Sequence, residues 1–340
     1  MLTAWYRGSG WLRLLRPLSA LYAFLAGRRR QRYLADPERV WQPPVPLIVV
    51  GNITLGGTGK TPMCIWLVEH LRQHGWRPGI ISRGYGATVA QYPHLIDPLC
   101  DMAVQVGDEP LLLASRCGVP VVIDPDRPRA ARHLLSTCEV DLIISDDGLQ
   151  HYALGRQIEI VMLDAVRALG NGRCLPEGPL REPATRLQQV DFVVSTGASS
   201  DAEGRHAMAL SPLALVNMLS GERLAIADWP AEKDVVAVAG IGNPQRFFAT
   251  LQQLGFSPET HAFADHAHYN AASFAAFDQS KSLFMTEKDA IKCAGFARAN
   301  WWYLSIEACL SDAFESALLA RLSVLRWPAE TPRSSNSGVV

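Results

Sequence analysis

The sequence predicts an α/β fold, a parallel sheet with helices on both faces followed by a smaller α/β lobe. Three observations predict it. Short unbroken apolar runs recur at residues 47–50, 79–82, 119–123, 142–144, 158–163 and 192–195, the pattern of strands buried on both faces. Segments of helical spacing alternate with them, residues 63–74 being the clearest, and such alternation builds parallel sheets. Near residue 200 the texture changes to a small, polar stretch, 197–204, after which a second set of runs begins at 213–218, 235–239 and 283–285.

Taken in order, the first 40 residues form an arm. Residues 11–26 read WLRLLRPLSALYAFLA and lead into Gly27-Arg28-Arg29-Arg30. The apolar part is shorter than the ~20 residues that cross a bilayer, and Arg13 and Arg16 interrupt it. Pro17 suits a helix start. The pattern predicts a helix lying in a membrane interface, with apolar and aromatic side chains toward lipid and arginines toward an anionic surface. The alternative is an amphipathic helix packed on its own domain. No small-residue cleavage site follows the stretch, so no signal peptide is expected.

A Pro-rich connector, residues 41–46, leads to the first strand. The chain of 340 residues is long enough for two domains. Its net charge of −1 gives no basic field for nucleic acid. The seven cysteines include no C-x-x-C pair, which predicts reduced thiols and neither disulfides nor a zinc site. No internal repeat and no obligate protein partner is evident. The last 14 residues, from Trp327, are Pro- and Ser-rich and are expected to be disordered.

The glycine-rich turn after the first strand reads Gly51-Asn52-Ile53-Thr54-Leu55-Gly56-Gly57-Thr58-Gly59-Lys60-Thr61. Between a strand and a helix this is a phosphate-binding loop, and it makes the predicted fold that of a P-loop NTPase. Gly56, Gly57 and Gly59 let several backbone N–H groups, Thr58 among them, turn toward one anion. Lys60 can bridge the β- and γ-phosphates of ATP, and the Thr61 hydroxyl can ligate Mg²⁺. Thr54 stands where the motif's first glycine is expected.

Asp146-Asp147-Gly148 directly follows the apolar run at 142–145. A carboxylate at that strand end faces the crevice where open α/β sheets bind ligands and can hold Mg²⁺. Two adjacent acids repel unless a cation is present. A solvated Asp-Gly turn is the plain alternative.

Four further segments join these two: Ser82-Arg83-Gly84-Tyr85-Gly86, Gly107-Asp108-Glu109-Pro110, Asp146-Asp147-Gly148-Leu149-Gln150-His151, and residues 171–183, NGRCLPEGPLREP. With GGTGKT, and with Asp265-His266 and Thr286-Glu287-Lys288-Asp289 further on, the chain resembles the lipid A disaccharide 4′-kinase family over roughly residues 10–325. The resemblance implies transfer of the ATP γ-phosphate to the 4′-hydroxyl of an acylated glucosamine disaccharide 1-phosphate, giving the bisphosphate precursor of lipid A. It implies work at the cytoplasmic face of the bacterial inner membrane, where the substrate's acyl chains keep it. Residues 41–200 become a P-loop kinase core and 201–326 the lobe that closes its site.

Residue by residue, the resemblance carries nucleotide and Mg²⁺ roles to Lys60 and Thr61 and metal-region roles to Asp146, Asp147 and Glu182. It makes Asp108 the base and His266 its partner, with His268 an alternative to His266. The plain reading of Asp108 is an N-cap for a helix starting near Pro110. His151 reads as a structural turn residue. Arg127 and Arg129 could clamp phosphates or form a solvated loop. Two other classes compete. One is a membrane-docked P-loop ATPase switch, which has no use for a base such as Asp108. The other is a dinucleotide oxidoreductase, which rests on Gly240-Ile241-Gly242 but lacks the third glycine, Gln245 standing in its place.

Overall fold

The computed structural model of the chain describes residues 2–7, 9–202 and 204–325. The tail from Trp327 lies outside the described residues. Thirteen strands form among them: β1 Leu47–Gly51, β2 Pro78–Ser82, β3 His94–Leu95, β4 Val121–Ile123, β5 Leu142–Asp146, β6 Ile158–Asp164, β7 Phe192–Thr196, β8 His206–Asn217, β9 Arg223–Leu224, β10 Asp234–Ala239, β11 Ser257–Ala262, β12 Leu283–Thr286 and β13 Trp301–Leu310. The α-helices are α1 Leu2–Arg7, α2 Arg16–Ala35, α3 Lys60–Gln73, α4 Ala103–Val106, α5 Asp108–Cys117, α6 Arg127–Thr137, α7 Pro244–Gln253, α8 Glu287–Cys293 and α9 Asp312–Leu325.

All the strands belong to one sheet, in the order β11-β10-β12-β13-β8-β7-β6-β1-β5-β2-β4-β3, with β9 paired to β8. The junction expected near residue 200 falls between β7 and β8, and the sheet continues through it. β8 pairs parallel to β7 and antiparallel to β13, so, apart from the two-residue antiparallel strands β3 and β9, the sheet consists of two parallel blocks of opposite direction. Register fixes how they face. The start of β8 lies beside the end of β7, Met208 opposite Thr196. The far end of β8 lies beside the start of β13, Asn217 opposite Trp302. The second block is thus displaced along β8 and points back at the first. The carboxyl ends of β1 and β5 therefore face those of β10 and β12 across a crevice, where open α/β sheets bind their ligands.

Both blocks are covered on two faces, as the unbroken apolar strands require. On the first block, α3 and α5 pack on one face with Met63, Leu67, Leu71 and Leu113, and α6 packs on the other with Ala130, Ala131 and Leu134. Helix α9, expected in the second lobe, returns to the first core. Its Phe314, Leu318 and Leu322 recur every four residues and are buried there, one helical stripe. The strand β11 was not expected, because SPETHA is polar and half-exposed along its length; it is an edge strand held by pairing to β10 alone. Nor was β13 foreseen, although it is one of the two strands that join the blocks.

The arm is a three-part element: α1, a 3₁₀ turn over Gly10–Leu15, and α2 with Pro17 in its first turn. One side is fastened to residues 174–181. Trp5 Nε1 donates to the Pro176 carbonyl (3.1 Å), Ser19 Oγ to that of Cys174 (2.7 Å) and Tyr22 OH to that of Arg181 (3.2 Å). Arg16 meets Glu177 at 3.3 Å. The other side leaves Leu14, Leu18, Leu21, Phe24 and Leu25 more than half exposed. Among the described residues no helix is long and apolar enough to cross a membrane.

Candidate active site

The phosphate-binding loop connects β1 to α3, which begins at Lys60. Gly56 and Gly59 have φ of 104° and 85°, left-handed conformations open to glycine. A Cβ on Gly59 would also lie 2.6 Å from Thr196 Oγ1. That hydroxyl donates to the Thr58 carbonyl (2.8 Å), Asn52 Nδ2 donates to Thr58 Oγ1 (3.1 Å), and the Arg167 guanidinium donates to the Gly57 carbonyl. Fixing the carbonyls from outside frees the amides to face inward. Thr54 is accommodated because it lies in a bridge to Leu180, with Leu55 N donating to the Pro179 carbonyl at 2.9 Å. An extended residue there needs no glycine.

The two acids at the end of β5 have different surroundings. Asp146 is buried and accepts a hydrogen bond from Ser82 Oγ at 3.1 Å. Burial, with Glu109 and Asp147 adding to it, pushes its carboxyl up to about 6. Asp147, at φ 46°, lies 3.7 Å from Lys60 Nζ and 3.1 Å from Arg181 Nη1. Burial raises it, but Lys60 and Arg181 outweigh burial and hold it low. At Asp147 the cations prevail over burial, whereas at Asp146 burial, Glu109 and Asp147 prevail over Lys60 and Arg127.

Across the crevice, His266 Nδ1 stands 3.1 Å from Asp108 Oδ2 and 3.3 Å from Oδ1. The two residues are brought together from the start of α5 and the segment after β11. Of the two histidines weighed, His266 is the one on Asp108; His268 is exposed. Helix α5 begins at Asp108 itself, two residues before Pro110, and Gly107 (φ 92°) occupies the N-cap position. The cap reading of Asp108 is corrected accordingly: its side chain turns to the crevice, although Oδ1 also accepts from Glu109 N at 2.9 Å. Burial raises the Asp108 carboxyl, yet the His266 hydrogen bond and the Lys288 charge overcome it and hold it at about 2. The same hydrogen bond raises His266 above its ordinary value. Asp147 and His266 (φ 58°) are two of the three non-glycine residues with positive φ among the described residues, and such backbone strain gathers at functional sites.

The remaining candidates separate. Glu182 is buried with both oxygens engaged, Oε1 by Gln150 (2.8 Å) and Oε2 by the Tyr152 hydroxyl, with Arg186 3.5 Å away. It braces the turn after β5 and is not a free ligand. Arg129 is bound twice by Asp124, at 2.6 and 2.9 Å. Arg127 is wholly buried, donates to the Asp146 carbonyl at 2.6 Å, and is pushed down by burial to about 10. Arg127 is thus neither solvated nor free to clamp a phosphate, and Arg129, half exposed, is committed to Asp124. His151 is held down to about 3 by burial and by Arg127 and Arg83, which suits a neutral turn residue. Gly240-Ile241-Gly242 is used differently from a dinucleotide fingerprint: a Cβ on Gly242 would lie 3.2 Å from the amide of Gly57. The turn closes on the phosphate loop.

A cavity of about 380 Å³ lies between the blocks, lined by the phosphate loop, Lys60, Thr61, Glu109, Asp265 and Lys288, with Ile65, Pro212 and Ile306 on its apolar side. Its size suits a nucleotide-sized molecule. The residue reading missed Arg181, Arg167 and Lys288. Arg181 and Lys288 stand inside the quoted segments GPLREP and TEKD, which were the signal available.

The sequence model of a family described as tetraacyldisaccharide-1-P 4′-kinase matches residues 11–323. A "Tetraacyldisaccharide 4′-kinase" of Pseudomonas paraeruginosa is 54% identical over 325 residues, covering 96% of this chain and 97% of its own. One of Pseudomonas fluorescens is 56% identical over 314 residues, covering 92% and 93%. Among solved structures, LpxK from Aquifex aeolicus, crystallised in complex with ATP, superposes with a TM-score of 0.76 at 26% identity, covering 91% of this chain and 99% of that one.

Proposed function

The chain belongs to the tetraacyldisaccharide-1-P 4′-kinase family, and on that premise we propose which of its residues carry the reaction and where. The activity is that of a tetraacyldisaccharide 4′-kinase in lipid A biosynthesis: phosphoryl transfer from ATP to the 4′-hydroxyl of an acylated disaccharide 1-phosphate. The observation that carries the assignment of residues is the Asp108–His266 pair, 3.1 Å apart, whose chain neighbours Glu109 and Asp265 line the cavity that also holds Lys60 and Thr61.

Phosphoryl transfer asks a protein to align donor and acceptor, neutralise charge on the transferring oxygens and accept one proton. The loop amides and Lys60 hold the β- and γ-phosphates. Lys60 moves from Asp147 toward the phosphates, and Arg181 remains to compensate Asp147. The acceptor hydroxyl lies against Asp108, and its proton passes to the Asp108–His266 pair. Asp108, held at about 2 by His266 and Lys288, is itself a weak acceptor; the neutral imidazole on the same carboxylate gives the proton a place to stay.

The residues fit Mg²⁺. Asp146 is a buried carboxylate whose neighbours add negative charge, which is what a cation relieves. Among the described residues no three His, Cys, Asp or Glu converge as a cage, which suits an ion that takes one or two protein oxygens and completes its shell from phosphates and water. Asp146 and the Thr61 hydroxyl would hold it, and it would supply charge neutralisation at the phosphoryl oxygens. The direct test is incubation of the protein with ATP, Mg²⁺ and detergent-dispersed disaccharide 1-phosphate, read as one added phosphate by mass. Asp146→Asn is expected to raise the Mg²⁺ concentration for half-maximal rate by at least tenfold, an order-of-magnitude figure for loss of a charged ligand. An unchanged Mg²⁺ titration in Asp146→Asn and in Asp147→Asn would remove both from the metal site.

The arm adsorbs to the cytoplasmic face of the inner membrane through the exposed row Leu14, Leu18, Leu21, Phe24 and Leu25, with Arg28, Arg29 and Arg30 at anionic headgroups. Each fully buried large apolar side chain contributes about 1.5–3 kcal/mol, and each arginine near the surface about 1 kcal/mol. Replacing Leu18, Leu21, Phe24 and Leu25 by serine is expected to abolish sedimentation with anionic liposomes and to slow turnover of bilayer-borne substrate, with ATP affinity kept. These side chains face away from residues 174–181, so the fastening of the arm survives. Equal sedimentation of variant and wild type would reject the adsorbing face.

A further inference from the structure

We propose that Lys288 is a positioning residue for the phosphoryl transfer, an interlobe latch that holds Asp108 and His266 in the geometry of a working pair. The inference rests on the reading of that pair as proton acceptor.

Lys288 is the second residue of α8, at the carboxyl end of β12 in the second block. Its ammonium meets carboxylates from both sides of the crevice. Nζ is 2.9 Å from Glu109 Oε1 and 3.8 Å from Asp108 Oδ2, both on α5, and 3.7 Å from Asp265 Oδ1 in the segment after β11. The side chain is 17% exposed, so these contacts escape most of the screening that weakens surface ion pairs. Burial alone would lower the ammonium, but the three carboxylates outweigh it and hold Lys288 well above its ordinary value. It is therefore a fixed cation.

The contacts form a chain to the imidazole. Asp265 Oδ1, the atom facing Lys288, also accepts the backbone N–H of His266 at 3.1 Å. His266 is at φ 58°, a conformation that costs a non-glycine residue of order 1 kcal/mol or more and needs support. Lys288 thus ties the strained backbone of His266, through Asp265, to the helix that carries Asp108. The neighbouring cation Lys292 is committed elsewhere: it lies 2.8 Å from Asp289, whose Oδ2 accepts from Gly240 N and Thr286 Oγ1, and over the ring of Tyr269 at 4.6 Å.

The charged and titratable groups around the pair are Glu109 on α5, Asp265 beside His266, Tyr269 three residues on, Lys288, Asp289 and Lys292 on α8, and the Tyr85 ring 5.6 Å from His266. Lys288 lowers the proton affinity of both Asp108 and His266. Removing its charge makes the pair hold its proton more tightly, so the pH above which the pair is free to accept a proton moves up. Asp265 acts on His266 in the opposite sense, and its removal moves that pH down.

The experiment compares pH profiles of kcat and kcat/KM for the full-length wild type, Lys288→Met, Lys288→Arg, Asp265→Asn and Asp108→Asn, with melting temperature and binding of a fluorescent ATP analogue measured alongside. Lys288→Met is expected to lower kcat about 10–100-fold with KM for ATP changed less than about threefold. Its acid limb is expected to move up by about 0.5–1 pH unit, an order-of-magnitude figure for loss of one near charge. Lys288→Arg is expected to return the limb to its wild-type position. If Lys288→Met does not fold, Asp265→Asn decides, its limb being expected to move down. A folded Lys288→Met enzyme that loses activity equally at every pH, with the limb in place, overturns the latch. An unmoved limb in Asp265→Asn does the same where Lys288→Met cannot be read. An active Asp108→Asn enzyme overturns the acceptor reading itself, and an inactive one beside an unmoved limb in Lys288→Met overturns the latch alone.

Discussion

Replacing Lys60 by alanine is expected to lower kcat by about two to three decades while leaving the fold intact, the loss of one charged contact to transferring phosphate being worth roughly 3–4 kcal/mol. The stability side is favourable to the test. Lys60 is the first residue of α3, alanine is a good helix former, and Asp147 keeps Arg181 at 3.1 Å when Lys60 is gone. The partner is therefore not left as an uncompensated buried charge. Steady-state rates with the lipid acceptor, together with a thermal melt, check the result. A melt like the wild type's with a rate within threefold of it would remove Lys60 from the reaction.

Asp108→Asn is expected to lower kcat by about two to four decades, with ATP affinity kept. His266→Ala is expected to cost less, because the carboxylate remains, and the double variant to cost little more than Asp108→Asn alone, since residues acting as a unit are not additive. The pH dependence has a definite sign. Asp108, held at about 2, is ionised throughout the working range. His266 is raised above the ordinary imidazole value of about 6.5, so below that raised value it already carries a proton and the pair cannot take another. The rate should climb with pH through the raised value, and His266→Ala should abolish that limb. Additive losses with the limb intact would separate His266 from Asp108.

Local pattern made the first block legible. The strands from β1 to β7 other than the two-residue β3, the phosphate loop and the acids after β5 are each announced by residues within a few positions of one another. The crevice was not, because it depends on partners far apart in the chain. His266 reaches Asp108 across 158 residues, and only the family resemblance proposed that pairing. The opposed direction of the two blocks is set by the β8–β13 register, and β13 offered no signal that it would be central. Arg127 shows the limit in the other direction: its neighbours read as a basic loop, yet burial under Asp146 is decided by the packing of α6 against the sheet. Glu182 carried a metal role by analogy, and its occupied oxygens could be seen only in three dimensions.

The bonds of the arm to residues 174–181 make it part of the catalytic machinery's inheritance. The segment that receives Trp5, Ser19 and Tyr22 is the one that lays Arg181 on Asp147 and sends its N–H to the Ile53 carbonyl at 2.7 Å. Arm and phosphate loop are thus two ends of one short mechanical linkage. An arm borrowed from a distant relative would arrive without its matching socket, and trimming it away would loosen the loop that holds the nucleotide. A change in the arm and a change around Arg181 therefore bear on the same short segment.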